Sequence, residues 1–443
     1  MKLPRSLLRS LVLPSHKLPL QQRNRSISQA ISHINRSTLS SYISSPRRCY
    51  SSVVSAADLQ FGQPVHETHP HILKAGEITP GISAQEYADR RAALAHALPA
   101  GSIAILHAAP LQYKSGAVFH PYRQETNFLY LTGWDEPDAV AVVEKTGPQH
   151  GDYLFRMFVK PKNPREEQWS GYRNGVQAAQ DVWNADEAFS IDALESVLPK
   201  LLKPAKLIYT DVESAKAQHS SSLWRFITSS LSSSPSTGNR PLHPVMNTLR
   251  AIKSPAEVAN MRLAGRISGR AITDAMRRPW AREKDLHAFL DYEFARNGCD
   301  GPAYIPVVAG GPRANCIHYT VNNQTLRQDE LILVDAGGQY GTYITDISRT
   351  WPASGRFSPA QRDLYEAVLK VQRTSVSLCR ASARMSLEDI HGVTVRGLLD
   401  QLKAIGFANL TSYNINELFP HHVGHYIGLD VHDCPGYSRR EVL

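Results

Sequence analysis

The chain has 443 residues, 42% hydrophobic and 20% charged, which suits a globular protein of two or three domains with real cores. No apolar run reaches the roughly 18 residues a membrane helix needs, so no membrane span is expected. The net charge of +9 points toward nucleic acid, but residues 1–57 hold nine Lys or Arg and no acid, leaving 40 basic and 40 acidic residues elsewhere; no nucleic-acid partner is expected.

The basic segment 1–57 is rich in Ser and interleaved with Leu and Ile. Basic, Ser-rich, acid-free composition marks an organelle transit peptide. A nucleic-acid-binding arm is the rival reading, and a secretory signal fits poorly because no clean apolar stretch precedes a small-residue cleavage site. Arg47-Arg48-Cys49-Tyr50-Ser51-Ser52 resembles a mitochondrial processing site, cut ahead of Tyr50 and trimmed to Ser51. A mitochondrial, matrix-like location follows. The cysteines, Cys49, Cys299, Cys316, Cys379 and Cys434, are odd in number and form no CxxC pair, which excludes a disulfide framework or a Cys-zinc site.

Residues 78–227 read as an N-terminal α/β domain. Ile82–Leu98 is helix-like, with Ser83 as N-cap. Ser102–Leu106, Asn127–Leu131, Ala139–Val143 and Tyr153–Val159 read as strands. Gln177–Ala185 and Ile191–Leu201 read as helices. Residues 228–241, rich in Ser, Pro and Gly, read as a linker to a catalytic domain at 242–443. There Ser254-Pro255-Ala256-Glu257 signals a helix start, and Val258, Met261 and Ala264 share one face. A second helix is expected near Glu283–Asn297. A third begins at Ser358-Pro359, with Leu364, Val368 and Val371 on one face.

Between these helices lies LILVDAGGQYGTYITDISRTW, Leu331 to Trp351. An apolar strand ends on Asp335, glycines permit a reversal, and a second strand, Thr342–Thr345, ends on Asp346. Facing residues on paired strands lie about 4.5–5.5 Å apart at Cβ. Carboxylates that close repel unless a cation separates them or one is protonated. A divalent metal is the simplest partner; an ordinary Asp in a hairpin turn is the plainer one.

Near the C-terminus FPHHVGHYIGLDVHD places His421, His422, His425 and His432 within twelve residues. Gly424 and Gly428 argue against a helical HExxH site and for a loop feeding a strand. A solvated polar loop is the competing reading, countered by the apolar Val423, Ile427, Leu429 and Val431. His318, in NCIHYT, is weaker alone, since a lone His beside an apolar run is more often structural. Carboxylates with one imidazole suit Mn, Co, Fe or Zn rather than a thiolate-loving metal. Two such ions roughly 3.5–4 Å apart generate hydroxide near neutral pH and polarise a scissile carbonyl. Neighbouring neutral histidines can donate to the developing oxyanion or the leaving amine.

The order His318, Asp335, Asp346, His425, His432, with the phrases NCIHYT, LILVDAGGQYGTYITDISRTWP, HHVGHYIGLDVHD and HPYRQETNFLYLTGWDEPDAV, resembles the pita-bread metallopeptidases, in particular the Xaa-Pro aminopeptidases (aminopeptidase P). It covers about residues 78–443, and the transit peptide brings it nearest the mitochondrial aminopeptidase P-like enzymes, intermediate-cleaving peptidases among them. The resemblance implies an α/β (α+β) protein: a pseudo-twofold pita-bread catalytic domain behind a smaller N-terminal α/β domain. It implies a metalloaminopeptidase acting on peptide or processed-protein N-termini, with two divalent ions, commonly Mn, and often a dimer or tetramer. Asp335, Asp346 and His425 would be metal ligands. His318 would stabilise the tetrahedral intermediate or shuttle protons, His432 would contact the substrate carbonyl, and His421 would line the same pocket.

The family also carries two Glu ligands on strands after the GLDVHD segment, one of them the general base. The chain closes on Arg439-Arg440-Glu441-Val442-Leu443, and Glu441 stands too near His432 to be either. The expectation is a chain cut short within its catalytic domain, so that residues 1–443 alone are not expected to hydrolyse peptides at a useful rate. A non-catalytic relative that binds protein partners is the alternative from another class.

Overall fold

A computed structural model describes residues 60–211 and 238–435. The basic N-terminal segment, its processing site and Arg439–Leu443 lie outside the described residues. Those described belong to the compact unit that begins at Gln60.

The chain enters through helix α1, Ala84–Ala97, whose N-cap Ser83 accepts from the Glu86 amide as expected. A six-stranded mixed sheet follows: β1 Ser102–His107, β2 Val140–Lys145, β3 Tyr153–Val159, β4 Glu187–Ser190, β5 Leu207–Thr210 and β6 Gly238–Arg240, in the order β6-β5-β1-β2-β3-β4. β1–β2 and β2–β3 are antiparallel; the other pairs are parallel. β6 takes up the last residues of the Ser/Pro/Gly-rich stretch read as a linker.

The segment Asn127–Leu131, expected as a strand, is instead helix α2, Thr126–Thr132. The Glu125 carboxylate accepts from the Asn127 amide (3.2 Å) and the Phe128 amide (2.6 Å), and Gly133 closes the helix at φ 67°. Every residue from Asn127 to Thr132 is buried, so no polar face revealed a helical period. The expected helices at 177–185 and 191–201 are shorter: Gly175–Asp181, and a 3₁₀ turn Ile191–Ala193 leading into α3, Leu194–Leu202.

Helix α4, His243–Ala251, leads to α5, Pro255–Met276, which begins with the Ser254/Glu257 capping box. Glu257 also accepts from Tyr343 Oη at 2.8 Å, and Arg90 of α1 donates to the same hydroxyl at 3.2 Å. Helix α6 spans Glu283–Arg296. A three-stranded antiparallel sheet then places β8, Leu331–Ala336, between β7, Val307–Gly310, and β11, Ile347–Pro352. The expected single hairpin is in fact two nested ones: β9, Gly338–Tyr340, pairs with β10, Tyr343–Ile344, while β8 pairs with β11. Gly341 (φ 53°) and Thr342 (φ 69°) turn the inner hairpin, as a primed turn requires. At Gly337 a Cβ would stand 1.8 Å from the Thr345 carbonyl, so only glycine lets the hairpins nest.

Helices α7, Pro359–Leu378, and α8, Leu387–Ala404, pack together. Ser358 caps α7 as expected, but its buried stripe is Ala367, Val371 and Ser375, while Leu364 and Val368 are exposed. Ser375 Oγ meets Thr394 Oγ1 of α8 at 2.7 Å, so small side chains set this contact. No described helix is long and apolar enough to cross a membrane, and the four described cysteines are free thiols.

Candidate metal centre

Asp335 is the penultimate residue of β8 and pairs with Ser348 of β11. Ser348 Oγ donates to Asp335 Oδ1 at 3.2 Å. Asp346 lies just ahead of β11, in the short link after β10, two residues before Ser348. A third residue completes the pair: Tyr304 Oη lies 2.9 Å from Asp335 Oδ1 and 2.9 Å from Asp346 Oδ1. His425 Nε2 lies 3.3 Å from Asp346 Oδ2, and His425 Nδ1 faces the Tyr426 carbonyl at 2.9 Å.

The electrostatics follow from this crowding. Burial and the Asp346 charge push Asp335 above the usual carboxylate range. Burial opposes ionisation of Asp346 as well, but His425, Asp335 and Tyr304 all bond to it and hold it below that range. The His425–Asp346 contact raises His425, against its partial burial. Burial, then the two carboxylate charges, push the Tyr304 phenol far up, so it stays a donor. The pair thus carries a mutual repulsion that a cation between the carboxylates would relieve.

Among the described residues no three His, Cys, Asp or Glu side chains already stand spread around an ion-sized space. Asp335 and Asp346 close on Tyr304 instead, and His425 closes on Asp346. The donor chemistry nevertheless fits a divalent ion: two converging carboxylates need compensating charge, and one imidazole nitrogen is aimed at them.

The other expected site residues divide. The His432 ring stands 4.3 Å from that of His425, edge to face. His421 is exposed, with Nδ1 at 2.8 Å from the His422 carbonyl and its ring 5.5 Å from Phe419. His318 is exposed on the loop after the 3₁₀ turn Gly311–Asn315. Among the described residues neither His318 nor His421 hydrogen-bonds to the carboxylate pair. The loop carrying the four histidines is irregular, as expected, but no strand follows within the described residues.

Residues 259–442 match metallopeptidase family M24, and residues 87–209 match the aminopeptidase P N-terminal domain. Intermediate cleaving peptidase 55 of Saccharomyces cerevisiae is 46% identical over 396 residues, 87% of this chain and 77% of that protein. The chain belongs to metallopeptidase family M24. Intermediate cleaving peptidase 55, mitochondrial, of Arabidopsis thaliana is 33% identical over 384 residues, 85% of this chain and 75% of that protein. The crystal structure of the yeast Icp55 lacking its N-terminal 58 residues superposes with a TM-score of 0.77 at 44% identity, covering 83% of this chain and 85% of that one. This M24 peptidase accordingly has the pita-bread fold with an N-terminal α/β domain.

Sequence reading missed two residues of the M24 centre. Ser348 was accessible in principle, being two residues on from Asp346 in a strand. Tyr304 carried no local signal, because it lies 31 residues from one carboxylate and 42 from the other. Tyr304→Phe is expected to lower the stability of the metal-free protein by ~1.5–3 kcal/mol, the worth of a hydrogen bond to a charged group. Urea unfolding in the presence of a chelator measures it, and equal midpoints would show that the hydroxyl does not bridge the pair.

Proposed function

We propose that this M24 peptidase is a mitochondrial aminopeptidase that removes the N-terminal residue from peptides and from imported proteins after their first processing. The observation that carries the reading is the meeting of Asp335 and Asp346 at the Tyr304 hydroxyl, with His425 on Asp346, inside the region that matches the metallopeptidase family. A binding module without catalysis is not favoured, because such a module has no use for a half-buried carboxylate pair facing an imidazole.

Asp335, Asp346 and His425 would hold the divalent ions, and Mn is the metal we assign to this carboxylate-rich set, with Zn, Co and Fe as competitors. When bound, such ions supply Lewis acidity toward a peptide carbonyl and acidify water. The protein's own residues do the rest. The Tyr426 carbonyl, 2.9 Å from His425 Nδ1, keeps that nitrogen protonated and leaves Nε2 as the ligand atom. His432, beside the His425 ring, donates a hydrogen bond to a substrate carbonyl. His318 serves the tetrahedral intermediate, and His421 lines the approach. The domains at 78–227 and 242–443, a matrix location and a homo-oligomer belong to the same reading.

Incubating the full native protein, rather than residues 1–443 alone, with Mn and synthetic peptides tests it. Mass spectrometry is expected to show loss of one N-terminal residue, stopped by a chelator. Parallel substrates, one set opening Xaa-Pro and one opening Tyr, Leu or Phe, resolve the specificity. Peptides left intact in both sets would overturn the proposal. Targeting has its own test. N-terminal sequencing of the mitochondrial protein is expected to begin at Tyr50 or Ser51, and a mature protein still starting at Met1 would contradict the transit peptide.

A further inference from the structure

Glu283, the first residue of α6, is 0% exposed, yet its carboxylate lies among polar partners from one distant loop. Oε1 accepts from the Gly310 amide (3.2 Å) and Arg313 Nε (2.7 Å). Oε2 accepts from Tyr319 Oη (2.8 Å) and the Gln324 amide (3.0 Å). These four donors sit at the entry, the middle and the exit of the loop 311–325. The backbone adds a second stake, with the Glu283 amide donating to the Gln324 carbonyl at 3.0 Å. Asn322, held at φ 49°, accepts from the Val308 amide at 2.9 Å and donates to the Pro306 carbonyl at 2.7 Å.

At the tip of this loop Asn315, Cys316, Ile317 and His318 are all exposed. His318 is exposed, so its place depends chiefly on the backbone that carries it. The nearest anchor along the chain is the adjacent residue, Tyr319, whose hydroxyl reaches Glu283.

We propose that Glu283 is the positioning residue for His318: one buried carboxylate fixes the loop that presents this imidazole to the substrate. The inference rests on the aminopeptidase reading. Glu283 touches no substrate and acts through His318 alone. A buried carboxylate with four donors is costly to alter, because each donor it leaves behind is itself unsatisfied.

The test uses the full native enzyme, rather than residues 1–443 alone, with Glu283→Gln, Tyr319→Phe, His318→Ala and the Glu283→Gln/His318→Ala double variant. Glu283→Gln is expected to lower kcat by about 10–10²-fold, less than the roughly 10²–10⁴-fold of losing a proton-handling group outright, and to leave KM within about twofold. Tyr319→Phe removes only the bond beside His318 and is expected to lower kcat less, again without moving KM. The double variant is expected to be no slower than His318→Ala, because the two residues act as one unit. Amide hydrogen exchange is expected to speed up across 311–324 in Glu283→Gln and to stay unchanged in β8. Multiplying effects in the double variant, a change confined to KM, a silent His318→Ala, or faster exchange throughout the domain would each overturn the proposal. An unsubstituted protein without peptidase activity would instead count against the aminopeptidase reading, and the exchange pattern would still decide whether Glu283 anchors the loop.

Discussion

Asp346→Ala is expected to empty the metal centre and to abolish peptidase activity. Of the two carboxylates, Asp346 touches both Tyr304, at 2.9 Å, and His425, at 3.3 Å. Even partners that only orient a metal ligand are worth about 10–100-fold in affinity or activity, so losing a ligand itself is expected to cost at least ~10²-fold in metal affinity. The fold should survive. Asp346 lies between β10 and β11 and pairs with no strand partner, and its removal relieves the crowding that pushes Asp335 upward. The metal-free variant should still unfold cooperatively, a little below the metal-free parent, because the contacts from Tyr304 and His425 that hold Asp346 ionised are lost. His432→Ala is the contrast: it should retain metal and lose turnover, since the role proposed for it is a hydrogen bond to substrate. Elemental analysis after dialysis separates the two, and full occupancy in Asp346→Ala would show that the ligand assignment is wrong.

Arg250→Met is expected to destabilise the protein by ~3–5 kcal/mol, the scale for removing one partner of a buried ion pair. Arg250 is 3% exposed and donates to Asp430 Oδ2 at 2.7 Å, Asn127 Oδ1 at 2.7 Å, Thr126 Oγ1 at 3.2 Å, and Asp433 Oδ1. It thus ties α2 and α4 to the loop that carries His425 and His432. Lys253 Nζ, 2.6 Å from Asp433 Oδ2, cannot replace it, because Asp430 would be left with only Thr126 as its side-chain donor. The Asp433 amide donates to the Tyr426 carbonyl at 2.9 Å, so loosening Asp433 loosens the residue that orients His425. Weaker metal retention should accompany the lost stability. The pH dependence has a definite sign. Burial disfavours ionised Asp433, but Arg250 and Lys253 outweigh it and hold its carboxyl below the usual range. That contribution is present above the unfolded value, near 3.9, and is lost as pH falls through the folded one. The deficit of Arg250→Met is therefore largest near neutrality and narrows in acid. Urea midpoints at several pH values measure it; a deficit independent of pH would remove Asp433 from the account.

Much of the architecture could be read locally. The caps at Ser83, Ser254 and Ser358 stand where the residue patterns place them, because a cap is a bond between a side chain and an amide three residues on. The strand Tyr153–Val159 is found with the expected ends. The segment after Glu125 misled for a physical reason. A helix buried on every side shows the same continuous apolar run as a buried strand, and its cap is a Glu rather than one of the usual short side chains. The hairpin misled in register, since β8 pairs with the strand beyond Asp346 and not with the one before it.

The sequence by itself determined the chemistry on offer: two Asp flanking a glycine turn, a dense run of histidines, and the balance of charge that confines the basic excess to residues 1–57. Residue type and spacing are enough for that, because they state which donors exist and which could share a strand face. Only the tertiary structure decided which of them meet. Asp335, Asp346, His425 and His432 converge, His318 and His421 stand on separate exposed loops, and Tyr304 arrives unannounced between the carboxylates. The direction of a side chain at a loop or strand end depends on partners tens to hundreds of residues away, such as Arg250 for the histidine loop and Glu283 for His318. A local pattern carries no record of them.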